Sequence, residues 1–342
     1  MVHGHRSAAI DALRVVAIVA IVAGHLWGGK ASEDPPNLLR IALYSWHVPI
    51  FFFLAGYFWN AQRALGSEIR TRARTLLLPF AVWTVLLGLI FGAYATLTSG
   101  FPLDELLGTL WGGRSVPTIY AAYWFLPVLF LAAVLARGLQ DRPWLLVALA
   151  VLSLAACYAW GAQLAKAPMV AFFALPCLVF VIAGRELRRI EAGLRSPMLL
   201  GGLLLAVPGI LLVARVVAPL DIKAGNFGTP VLSVAAAVAI CAGLVLLANA
   251  SFGERDVRWG AFATELAMGS IVLLLTHVAL FIVFGSLPIP RPAYFPLVLL
   301  IGWSLGFVLR RSRLSLPFTG FPRRAAARRV ENDGSVRRGR GE

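Results

Sequence analysis

The chain has 342 residues, 59% hydrophobic and 14% charged, with a mean hydropathy of +0.81. A soluble domain carries roughly a quarter charged residues, so this composition excludes one and requires an integral membrane protein. The net charge of +15 would suit nucleic acid, but its arginines flank apolar runs and crowd a Gly/Ala/Arg-rich tail, the pattern of charge facing an anionic lipid bilayer rather than a nucleic-acid partner.

Apolar runs long enough to cross a hydrocarbon core of about 30 Å recur along the whole chain. They cover residues 8–27, 38–59, 76–98, 120–136, 144–161, 168–184, 198–218, 229–249, 260–284 and 293–310. Open strands cannot face lipid, so these runs predict an all-α polytopic membrane protein of about ten transmembrane helices. Residues 1–310 form the membrane domain on this reading, and 311–342 a basic, disordered tail. Lys and Arg counted by alternate loops number 23 against 5, and 13 against 5 without the tail. The excess places both termini in the cytoplasm and the chain in the inner (plasma) membrane as a multi-pass protein.

The first run follows Arg6 as a secretory signal would, but Asp11 and Arg14 interrupt it, which argues for a retained span. Arg14 and His25 lie eleven residues apart in it. Eleven steps of roughly 100° return to within about 20°, so the two share one face about 16 Å apart along the axis. Neither is tolerated in lipid without a function, and Asp11 is placed to pair with Arg14. In the second run His47 falls roughly 13 Å below the outer boundary, and Pro49 frees a backbone carbonyl and bends the helix beside it. His277, a third imidazole, sits in the outer half of the ninth run.

Arg70, Arg72 and Arg74 precede the third run at alternate positions, where guanidinium groups suit phosphates and are equally ordinary positive-inside residues. Cys157, Cys177 and Cys241 are an odd, scattered set within spans, and nothing has metal-ligand spacing, so no metal is expected. Intramembrane histidines near an arginine suit general-base chemistry, and they suit a proton-coupled transporter as well. Spacing alone leaves both open.

Arg14-x10-His25, the run Ser45-Trp-His-Val-Pro-Ile-Phe-Phe-Phe-Leu-Ala-Gly-Tyr-Phe, the arginines before Leu-Leu-Leu-Pro79-Phe80, and Tyr123-Trp124-Phe125-Leu126 resemble the membrane acyltransferase-3 family. The second run is closest to its fucose 4-O-acetylase-like branch. The resemblance implies O-acylation, most often O-acetylation, of a carbohydrate or glycolipid acceptor by cytoplasmic acetyl-CoA or another acyl-CoA. It assigns catalysis to His25, as base or acyl carrier, with Arg14 assisting and His47 as partner. Arg70, Arg72 and Arg74 would meet the phosphates of the coenzyme. Trp124, Tyr123, Arg114 and His277 would hold the acceptor at the outer mouth, beside Trp111. The chain departs from the family in its alternate arginines, where Arg-x-x-Arg is common, and in Ala55 where Ser is usual. A secondary transporter or flippase of a sugar-linked or small polar substrate is the alternative.

The charge asymmetry predicts that green fluorescent protein fused after Glu342 is fluorescent and alkaline phosphatase fused there inactive; the reverse pattern would invert the topology.

Overall fold

The computed structural model describes residues 8–29, 37–98, 118–251 and 257–323. Arg114 and Trp111 lie outside the described residues. The chain runs through α1 (Ala8–Trp27), α2 (Leu38–Tyr44), α3 (Pro49–Tyr57) and α4 (Leu65–Arg72), which passes through a π-turn (Ala73–Leu77) into α5 (Leu78–Thr98). It continues through α6 (Phe125–Gly138), α7 (Pro143–Leu164), α8 (Leu178–Ile190), α9 (Pro197–Val213), α10 (Leu232–Ser251), α11 (Val257–Gly285), α12 (Arg291–Arg311) and α13 (Ser315–Thr319). No strand occurs among the described residues. Eight helical stretches among them are long and apolar enough to cross a membrane, and two shorter apolar helices, α6 and α9, lie where the fourth and seventh spans are expected.

A helix apolar on every side belongs inside a bundle. α1 buries Ile10, Leu13, Ala17, Ile21, Val22 and Leu26, which point in several directions around its axis, and it packs along α11. α7 sits at the opposite extreme. Val147, Val151 and Leu152 are exposed on it, and so are Trp144 and Trp160 near its two ends, about 24 Å apart along the helix. An apolar outer face bounded by tryptophans is what a bilayer and its two interfaces select.

The second span is broken as Pro49 demands. Proline has no N–H and its ring clashes with the preceding turn, so α2 stops at Tyr44 and α3 restarts with Pro49 in its first turn. In the turn between them the Trp46 and His47 amides both donate to the Leu43 carbonyl, at 3.1 and 3.0 Å.

Small residues set the closest helix contacts, as in most membrane bundles. α3 meets α8 at Gly56 and Gly184, where an added Cβ would lie 1.8 Å from the Val181 carbonyl oxygen and 1.9 Å from that of Phe53. The connection over 214–231 folds back over one end of the bundle. Gly225, at φ +75°, approaches Gly161 so closely that a Cβ on either would come within 2.0 Å of the other's carbonyl oxygen. Ser233 Oγ donates to the Ala218 carbonyl at 2.7 Å, and the Val231 amide donates to the Tyr158 hydroxyl at 3.1 Å.

Ordered structure continues past the expected boundary at 310, through α13 to Arg323. The reason is polar satisfaction. The Trp83 indole N–H donates to the Phe318 carbonyl at 3.1 Å, and the buried Arg310 guanidinium donates to that of Pro322 at 3.1 Å.

Gly56→Leu and Gly184→Leu should each force α3 and α8 apart and destabilise the protein by about 3 kcal/mol or more, read as a lowered melting temperature in detergent. Wild-type melting of both variants would show that this crossing is not tight.

Candidate active site

The site is built on the parallel pair α1 and α11, which meet at Ala8 and Gly260, at Asp11 and Thr264, and at His25 and His277. At the arginine-rich end, Asp11 is buried and accepts from Arg14 at 2.9 Å and from Thr264 Oγ1 of α11 at 2.9 Å. A carboxylate with two donors is tolerable in an apolar interior where a lone one is not. The Arg14 guanidinium carbon lies 5.1 Å from the centre of the Phe58 ring, just beyond α3.

Three turns further along α1, His25 meets His277. Their ring centres are 4.9 Å apart with planes at 74°, an edge-to-face contact. His277 is fully buried, and its Nδ1 donates to the Leu274 carbonyl at 2.8 Å. His25 differs, because its surface is accessible. The edge-to-face contact with His277 and this accessibility fit a ring that lines an internal chamber. His47 and Lys223 also lie within electrostatic range of His25.

The α2–α3 break supplies the neighbouring wall. His47 is buried, its Nδ1 donating to the Leu43 carbonyl at 2.6 Å. The Tyr44 ring stands edge-on to it at 4.8 Å. Tyr44 also packs on α1 at Gly24 and Gly28, the first of which adjoins His25; a Cβ there would lie 3.3 and 3.1 Å from its ring.

Three further charges, none singled out from sequence, surround this wall. Arg40 is buried on α2, donates to Asp221 at 2.7 Å and stacks on Tyr44 with its guanidinium carbon 3.9 Å from the ring centre. Two residues after Asp221, Lys223 donates to the Ala121 carbonyl at 3.1 Å. Burial pushes the Lys223 ammonium below its ordinary pKa, with the Asp221 carboxylate opposing the shift. The turn from Asp221 to Asn226 is thus clamped between α2 and the segment leading into α6. An arginine three residues into an apolar run was the available signal for Arg40, but at a span end it reads as a snorkelling residue. Asp221 and Lys223 carry no local pattern.

The expected acceptor residues that are described, Tyr123, Trp124 and His277, are buried. Tyr123 and Trp124 are 4% and 8% exposed. The Tyr123 hydroxyl donates to the Leu275 carbonyl at 3.1 Å, and its ring lies against Tyr120 and Phe80. Aromatic area gains more from burial than from a rim, provided the hydroxyl finds an acceptor.

At the arginine-rich end, Glu68 accepts from Arg72 at 2.7 Å and from Arg63 at 2.8 Å. Arg70 and Arg74 are exposed, and neither forms an ion pair among the described residues. Residues two apart on a helix point to opposite sides and residues four apart share a face, so Arg70 and Arg74 pair with each other and Arg72 does not join them. The exit of α3 is tied down by Arg137, which donates to the Asn60 and Ala61 carbonyls at 2.8 and 3.0 Å.

The family model for the acyltransferase domain called Acyl_transf_3 matches residues 7–311, from the residue before α1 to the end of α12. The chain belongs to the membrane acyltransferase-3 family. No curated protein and no solved structure matches it. It is therefore a multi-pass membrane protein of an acyltransferase family, and the matched region contains every residue of the chamber described above.

In this acyltransferase the Arg40–Asp221 pair should be asymmetric. The side chain of Arg40 is 7% exposed and that of Asp221 is 20%, so Asp221→Asn strands a guanidinium in the interior and should destabilise by about 3 kcal/mol. Arg40→Met should destabilise less, and the double variant should recover much of the loss. Additive effects in a double-mutant cycle of melting temperatures would show the pair to be uncoupled.

Proposed function

We propose that the protein is an O-acyltransferase that moves an acyl group, most simply acetyl, from cytoplasmic acyl-CoA to a sugar hydroxyl of an envelope glycan, glycolipid or glycosylated metabolite. One observation carries this reading: an accessible His25 stands against His277 on the same helix that brings Arg14 to the arginine-rich end. With the positive-inside orientation, that end is cytoplasmic.

The chemistry needs three things, and each has a candidate. A diphosphate needs guanidinium groups, and Arg70 and Arg74 stand on one exposed face with no ion pair among the described residues, while Arg72 is committed to Glu68. The donor must be placed on its way to His25, a role that suits Arg14, about 16 Å from His25 along the same helix and at the arginine-rich end. The acceptor hydroxyl needs a base, and neutral imidazole takes a proton near neutral pH. His25 accepts the hydroxyl proton as the oxygen attacks the thioester carbon, and returns it to the departing thiolate when the carbon–sulfur bond breaks. The acceptor approaches from the end nearer His25, past the turn that holds Asp221 and Lys223.

Purified protein in detergent or nanodiscs, given acetyl-CoA and a glycan extract, should release coenzyme thiol and acetylate the glycan, read by mass spectrometry. His25→Ala should lower the rate by at least about 10²-fold, with unchanged expression and melting. Arg70→Ala with Arg74→Ala should raise KM for acetyl-CoA by about tenfold while Arg72→Ala acts mainly on stability. Full activity of His25→Ala, or substrate flux in proteoliposomes without any acyl donor, would overturn the proposal.

A further inference from the structure

His277 has features that acyl transfer by His25 alone leaves unexplained. It is 0% exposed in the second half of α11, its ring approaches His25, and its Nε2 is buried with no hydrogen-bond partner among the described residues. A buried ring nitrogen left unsatisfied is unfavourable, and proteins retain such atoms where they have work to do.

The tautomer follows from the hydrogen bond. A carbonyl oxygen only accepts, so the Nδ1 that bonds Leu274 carries the proton and the Nε2 of the neutral ring is a bare lone pair. His277 can offer a neighbour nothing but an acceptor. Among the described residues, neither ring nitrogen of His25 makes a hydrogen bond, so its own tautomer is unset by any other group. A linear N–H···N bond of ~2.9 Å between two imidazoles puts their ring centres about 5 Å apart, and the two rings stand 4.9 Å apart. The separation of the two rings is thus the one such a bond requires. His47 does not compete for this role, because its ring meets Tyr44 instead.

We propose that His277 is the positioning partner of His25: its Nε2 accepts the N–H of His25, which fixes the His25 tautomer and leaves the opposite nitrogen as the lone pair that takes the acceptor's proton. This rests on the acyl-transfer reading. In the step itself the acceptor O–H bond breaks and its proton goes to the free nitrogen of His25. The oxygen–carbon bond forms at the thioester, and the His25 imidazolium is held through its other N–H by His277. When the carbon–sulfur bond breaks, the thiolate takes that proton back. His277 neither gains nor loses one.

Two substitutions separate an acceptor from a filler of space. His277→Phe keeps ring volume and removes the lone pair, and His277→Gln keeps an accepting oxygen at similar reach. With acetyl-CoA as donor and water as acceptor, His277→Phe should lower kcat by about 10²-fold with KM for acetyl-CoA within about twofold. His277→Gln should stay within about fivefold of wild type. Near-wild-type kcat in His277→Phe, or equal loss in both variants at wild-type melting temperature, overturns the proposal. If the wild type turns over no acyl-CoA, the acyl-transfer reading fails on its own, and nitrogen NMR of the ¹⁵N-histidine-labelled full chain still decides the geometry. The chain has five histidines, and loss of one signal in His277→Phe assigns it. His277 protonated on Nδ1, with a coupling across a hydrogen bond to His25, is the expected result; His277 protonated on Nε2 overturns it.

Discussion

The site depends on the contact between α1 and α11. An apolar interior leaves a polar side chain two choices, a partner or water, and the pair provides both along one line. Asp11 takes partners, from Arg14 on its own helix and from Thr264 across the contact. His25 takes the chamber, with His277 at its edge. The helices come close because Gly260 has no side chain; a Cβ there would stand 2.8 Å from that of Ala8.

The second wall exists because a helix is interrupted. Pro49 brings no N–H to the second span, and in the turn just before it the carbonyl of Leu43 accepts from the Trp46 amide, the His47 amide and the His47 ring. The turn from Asp221 to Asn226 then fastens this wall to the rest, through Arg40 on one side and the Ala121 carbonyl on the other. Two opposite charges two residues apart in one turn thus bridge two separate elements.

At the arginine-rich end, most guanidinium groups are occupied with structure. Arg72 and Arg63 share Glu68, Arg137 holds the exit of α3, and Arg188 pairs with Glu191, which also accepts from the Tyr57 hydroxyl. Counting arginines there overstates what is free to meet a ligand. The exposed pair Arg70 and Arg74 stands at the entry to the π-turn, a local widening that functional sites often contain.

Much of this was legible in the residues, because the hydrocarbon core imposes length and apolarity on any segment that crosses it. The first run of 8–27 coincides with α1, and each of the other runs overlaps a helix. The placement of Arg14 with Asp11 followed from helical spacing, and the break at Pro49 from proline's missing donor. What sequence could not reach were relations between distant segments: His25 with His277, Arg40 with Asp221, Tyr123 with the Leu275 carbonyl, and the tail carbonyls that satisfy Trp83 and Arg310. Periodicity tells which face of a helix is polar but not which other helix will stand opposite it. Hydropathy and local spacing therefore determined the helices and their polar stripes. Only tertiary packing decided that the stripe on the first helix would meet a histidine some 250 residues away.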